Sequence, residues 1–201
     1  MTMTRVQTRI FNAALDLFAD TGRSDITVAE LARAAGVARG TIYNNLSTCD
    51  GLFEEIVTRL GAEMHTVLAE RFEQEPDPAV RISHGVREFL RRAAEQPRWG
   101  RFFYRFAFSE EHFHRLLGGP LIEFVRAGMA CGRFDCRQEQ FPGVVAMIGG
   151  TVLCSMFQVV QGLQPWRVAG SDAAELVLKA LGVDAETAHR IATSDLPADG
   201  L

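Results

Sequence analysis

Between Thr27 and Asn45 the chain gathers side chains that suit phosphates and base edges. Arg39 suits a guanine edge or a phosphate. Asn44 and Asn45 suit phosphates, or bases if their helix enters a groove deeply. Thr41 and Tyr43 suit phosphates, and Thr41 can also touch a thymine methyl. Gly40 belongs to the same surface. Thr27, with a hydroxyl and a backbone N–H at a helix start, suits a phosphate.

Two short helices must position these groups. Thr27-x-x-Glu30 has the form of a capping box. Val28, Leu31, Ala32 and Ala35 recur at helical spacing, and Gly36 can take the left-handed position that ends the helix. After a turn at Val37, a second helix covers Arg39–Asn45. This is a helix-turn-helix, whose second helix can enter a major groove. The plainer reading is a helical hairpin that only packs. Against it, Ile42 is the one large aliphatic residue of the second helix, and the rest of that surface is polar.

A helix over Arg5–Asp20 precedes the pair, with Val6, Ile10, Ala14, Leu17 and Phe18 on one face. Residues 1–8 read as a loose polar arm. Ser47-x-x-Asp50 is the next start signal, for a helix running to about Gln74. Its ~25 residues would rise ~37 Å, enough for a lever between two domains. Residues 1–49 carry five arginines against four acids, so any DNA affinity depends on where charge is placed.

The whole chain has 201 residues, 47% hydrophobic and 23% charged, with a net charge of −4. It can bury a substantial core, and the charge argues against a general nucleic-acid coat. No uninterrupted apolar run reaches the ~18 residues of a membrane span, and the N-terminus lacks a signal core, so the cytoplasm is expected. Cys131 and Cys136 lie five apart, compatible with a reversible bridge; no zinc spacing occurs. His112 and His114 point to different helix faces. No Ser-His-Asp set, phosphate loop or metal cluster is seen, so neither an enzyme nor a cofactor is expected.

Beyond Pro76-Asp77-Pro78, helices are expected over Ala79–Glu95, from 98 to 108, Ser109–Leu117, Leu121–Cys131, Arg137–Gln161, Ser171–Leu181 and Asp184–Thr193. Residues 162–170, with Trp166, read as a loop. In the helix after Pro97, Trp99, Phe102, Phe103 and Phe106 share an arc of about 100°, and Arg98, Arg101 and Arg105 share a neighbouring one. One reading is a core stripe with solvated arginines. The other is the wall of an effector pocket, aromatic for an apolar ligand, with Arg105 for a carboxylate or phenolate. Phe124, Met147 and Phe157 are candidates for the same pocket. Small residues along Arg137–Gln161 allow close helix approach, and with Ser171–Leu181 they suit a four-helix dimer interface.

The run from Arg9 to Phe53, including F-N-A-A-L-D-L-F-A-D-T-G and I-T-V-A-E-L-A-R-A-A-G-V-A-R-G-T-I-Y-N-N-L, closely resembles the N-terminal signature of tetracycline-repressor-type (TetR) transcriptional regulators. The resemblance implies an all-α homodimer of about nine to ten helices per chain. It implies a three-helix DNA-binding domain, taken as 1–49, and a helical effector-binding and dimerisation domain, 50–201. The function implied is repression at a palindromic operator, released by a small, largely apolar or aromatic ligand. The chain departs from the family at Leu46, usually aromatic, Ala38, often Ser, and Cys49, usually Lys. Losing that Lys removes one cation per subunit and makes the salt dependence of binding shallower by about 2 in log-log slope. These departures keep open an alternative, a dimeric ligand-binding or interaction module with weakened DNA binding.

Overall fold

Thr4 opens the first helix. Its hydroxyl accepts from the Gln7 N–H at 3.2 Å, and its own N–H donates to Gln7 Oε1 at 2.9 Å. The expected loose arm is therefore ordered from Thr4 onward by a capping box that the Thr-x-x-Gln spacing encodes. The computed structural model describes residues 3–45, 51–72, 74–108, 112, 116 and 119–196. Leu46, Ser47, Cys49, Asp50, Ser109, Glu110, His114 and Leu117 lie outside them. So do the start signals assigned to Ser47 and Ser109.

Ten α-helices form among the described residues: α1 (Arg5–Thr21), α2 (Val28–Ala35), α3 (Arg39–Asn45), α4 (Leu52–Arg71), α5 (Pro78–Glu95), α6 (Pro97–Phe106), α7 (Pro120–Ala130), α8 (Phe141–Val160), α9 (Trp166–Ala180) and α10 (Ala185–Thr193). The protein is all-α, as expected. Ile10, Phe18, Leu31 and Ile42 are buried at the centre of α1–α3, with Leu17, Val28 and Val37 packed around them. Gly22 ends α1 at φ +69, a conformation open to it because it has no Cβ.

Around α5 the rest of the body assembles: α6, α7, α8, α9 and α10 all pack on it. The periodicity of α5 gives one inward face, but the helix is enclosed on nearly every side. Ser83, His84, Arg87 and Glu88 are buried with the apolar residues. Glu88 is held by Arg71 at 2.9 Å and Arg91 at 2.8 Å, which compensates a carboxylate taken out of water.

Three boundaries and one reading of composition differ from the sequence reading. The lever α4 spans 20 residues, about 30 Å rather than 37 Å. The segment expected as one helix from Arg137 begins as a 3-10 turn, Gln138–Gln140, and becomes α-helical at Phe141, with Pro142 in its first turn. Residues 166–170 are helix, not loop: extended Pro165 starts α9, and Gly170 lies buried inside it. A Cβ on Gly170 would sit 3.3 Å from Arg87 Cγ, so this glycine serves close packing of α9 on α5, where the sequence suggested a break. Finally, α8 is long and apolar enough by length and composition to cross a membrane, although no uninterrupted apolar run spans it. It packs on α5, α6 and α9.

Candidate nucleic-acid interface and its link to the helical body

The turn between α2 and α3 is tight. Gly36 adopts φ +61, and the Val37 N–H donates to Ala32 O at 3.0 Å. Ala38 offers no side-chain cap, but its carbonyl accepts from the Thr41 N–H at 2.9 Å and starts α3. Ile42, 1% exposed, anchors α3 against α1 and α2. The opposite side presents Arg39, Gly40, Tyr43 and Asn44 to solvent. Tyr43 is 69% exposed, so it does not pack against the long helix. A Cβ on Gly40 would meet nothing within 4 Å, so the backbone there is open to close approach.

Thr41 and Asn45 are placed differently. Both are half-buried, and the Asn45 amide donates to Thr41 O at 2.8 Å, closing on its own helix. Thr27 is exposed, but its donors are engaged. Its hydroxyl donates to Glu30 Oε2 at 2.7 Å and its N–H to the same oxygen at 2.8 Å. These bonds hold the Glu30 carboxyl below its usual range, and Arg23, 3.4 Å away, adds to the effect. A carboxylate thus already occupies the helix start where a phosphate was expected.

The residues expected to line an effector pocket fall into separate places. Trp99, Phe102 and Phe103 are fully buried; Trp99 stacks on Phe103 with centroids 3.9 Å apart, and Phe102 lies 5.0 Å from Phe106. These four rings form one layer. Phe53 joins it, 4.9 Å from Phe106 and 5.7 Å from Phe102, and on its other side meets Phe18 of α1 edge-on at 5.1 Å. Phe124 is buried on α7 beneath Arg81, and Met147 is half-buried on α8. Phe157 is 45% exposed, edge-on to Tyr104.

Sequence reasoning missed polar groups inside the body. His84 is 6% exposed, and neither ring nitrogen has a hydrogen-bond partner. Burial, with Arg87 nearby, pushes its imidazole down to about 4. His65 Nε2 is likewise buried without a partner. The run R-I-S-H-G-V-R-E looks like a solvated face in isolation; only the number of later helices needing a central partner signals otherwise.

The arginines of α6 reach α1. Arg98 lies 3.4 Å from Asp16, Arg101 lies 3.3 Å from Asp20, and Arg105 donates to Asp20 O at 3.1 Å. Spacings of three and four on α6 match the spacing of four on α1, so the side chains mesh as a row. Beside this row a cavity of about 290 Å³ opens between α1, α4 and the start of α6; of the residues expected to bind an effector, Trp99 alone lines it. Cys131, Cys136 and Cys154 are free thiols. Burial and the adjacent Asp135 raise the Cys136 thiol above its usual range, which disfavours thiolate chemistry.

Residues 77–194 match the model of the tetracyclin repressor-like C-terminal domain, and residues 10–56 that of the bacterial regulatory proteins of the tetR family. No curated protein sequence matches the chain. Among solved structures, the regulator RolR in complex with resorcinol is 21% identical, with a TM-score of 0.72 over 98% of this chain and 97% of that one. A TetR-like transcriptional regulator from Rhodococcus sp. RHA1 is 16% identical, with a TM-score of 0.72 over 92% of this chain and 100% of that one. FadR from Bacillus subtilis in complex with stearoyl-CoA is 17% identical, with a TM-score of 0.69 over 85% of this chain and 97% of that one. At these identities the likeness is one of fold.

Proposed function

The chain belongs to the tetracycline-repressor family of transcriptional regulators, which are not enzymes, and from that premise we propose a homodimeric cytoplasmic repressor that leaves a palindromic operator when a small ligand binds its body. Residues 1–49 are the reading head and residues 50–201 the effector and dimerisation domain. Two α3 helices, one per subunit, enter successive major grooves about one helical turn apart. Arg39 contacts a guanine edge or a phosphate. Gly40, Tyr43 and Asn44 follow the backbone beside it. Thr41 supports that surface from its half-buried position.

The observation that carries this reading is the division of α3. Buried Ile42 fixes the helix, and the opposite side is polar, exposed and unobstructed. Arg39→Ala should abolish sequence-selective retardation of the protein's own promoter fragment. Unchanged retardation would sink the assignment.

The effector is largely apolar or aromatic. The ring layer of α6 supports this, and two proteins of the same fold hold resorcinol and stearoyl-CoA. The ligand opens that layer. The α6 rings rest on Phe53 at the start of α4, so displacing them tilts the lever and changes the spacing of the two heads.

One observation favours a second reading, a ligand-binding dimer with weakened DNA affinity. The Thr27 donors that would grip a phosphate are both engaged by Glu30. Binding to genomic fragments, measured against salt concentration, separates the two. A repressor shows a sequence-selective component that persists as salt rises.

A further inference from the structure

Helix α5 carries a buried positive charge with a free donor. Arg87 is 7% exposed, and its Nη1 is buried with no hydrogen-bond partner. A guanidinium keeps its proton in a protein, so burial does not make this side chain neutral. Holding such a cation out of water without an acceptor is strongly destabilising. Neighbouring arginines are matched: Arg71 and Arg91 both reach Glu88, and Arg92 reaches Glu63. At Arg87, burial pushes the pKa down, the charge of Asp195 resists that shift, and Arg167 adds to it.

One turn earlier on the same side of α5 stands His84, 6% exposed, with neither ring nitrogen hydrogen-bonded. A neutral imidazole has one N–H to donate in either tautomer. The His84 ring lies 5.2 Å from that of Phe72 at the end of α4. Ser83 donates to Ile191 O at 3.4 Å, which brings the end of α10 alongside. A Cβ on Gly170 of α9 would sit 3.3 Å from Arg87 Cγ. The two donors are thus enclosed where α4, α9 and α10 meet α5. Phe89, which meets the α6 rings, lies on another side of the helix, about 140° from His84 and about 160° from Arg87 at ~100° per residue.

We infer that His84 and Arg87 form a carboxylate-binding site, distinct from the aromatic layer proposed for the effector. Arg87 supplies the positive charge and His84 a neutral donor. One carboxylate balances one guanidinium, and its two oxygens can serve two donors. A halide offers the charge through a single atom. An occupant stabilises the body as its concentration rises, because the unfolded chain has no such site.

Acetate is the probe, exchanged for chloride at constant ionic strength, with the full chain and no DNA. The thermal midpoint should rise saturably with acetate, and titration calorimetry should register saturable binding. Acetamide added to the chloride buffer should do neither. Arg87→Met removes the charge and keeps an unbranched stem beside Gly170; it should abolish both responses. His84→Phe should weaken binding about tenfold, and His84→Gln, which restores an amide donor, should recover most of it. A merely structural role for these residues predicts no dependence on acetate in any variant.

Three results would overturn the inference. One is a midpoint indifferent to the exchange of acetate for chloride. Another is an equal response to acetamide, which removes the charge as the feature recognised. The third is a response undiminished in folded Arg87→Met or His84→Phe, which puts the anion elsewhere. Promoter retardation plays no part in these readings, so their failure and that of the regulatory assignment are separate results.

Discussion

Asn44 and Asn45 are neighbours of one chemical type, and the structure gives them different work. Asn44 faces solvent, whereas the Asn45 amide is bonded to Thr41 O. Asn44→Ala should weaken operator binding by about 1 kcal/mol or more, and Asn45→Ala should leave it nearly unchanged, as measured by fluorescence anisotropy. Nothing in the sequence separates the pair, because the difference lies in helix rotation set by Ile42. Thr27 was more legible, since its spacing from Glu30 encodes the cap that forms. His84 was not legible, because helices far along the chain decide its burial. Its imidazole titrates near 4 in the folded protein and near the ordinary 6.5 when unfolded. Between these values the unfolded chain binds the extra proton, so stability is complete above pH 6.5 and declines as pH falls towards 4. The loss is on the order of 3 kcal/mol. Urea unfolding of His84→Leu across this window should show a shallower decline than the parent.

Helix α6 meets α1 through a row of arginines that sequence periodicity placed together and assigned either to solvent or to a ligand. They were not assigned to α1, because one chain read linearly does not show that the first helix and the sixth are neighbours. The pairs are partly exposed, so each contributes under about 1 kcal/mol to folding. Their role lies in register. Asp16→Asn combined with Asp20→Asn should barely move the thermal midpoint, yet amide exchange in α1 should accelerate several-fold. Slow exchange equal to the parent would show that ring contacts alone hold α1. The α9 start tells a related story: Gly170 looks like a stop in sequence and acts as a contact in space, because Arg87 needs room.

Across the whole molecule, α8 and α9 keep apolar residues on the outside: Phe157, Val168 and Leu176, the last 64% exposed. A second copy of the chain covers this face in the proposed dimer. Leu176→Glu should yield folded monomers in sedimentation velocity and weaken operator binding, because two heads no longer arrive together. The all-α plan was readable from periodicity and breakers, and the small residues of α8 and α9 are what motivates the proposed dimer face. The effector position was not legible, since it depends on how α6 through α10 enclose α5. The head is also less portable than its own signature suggests. A relative's first three helices grafted onto this body would bring foreign residues to the places of Asp16, Phe18 and Asp20, which meet Arg98, Phe53 and Arg101. Such a hybrid should still read its operator and fail to answer the effector. Restoring those three residues in the graft should restore the response, which makes the unit of exchange a head together with the fourth and sixth helices it meets.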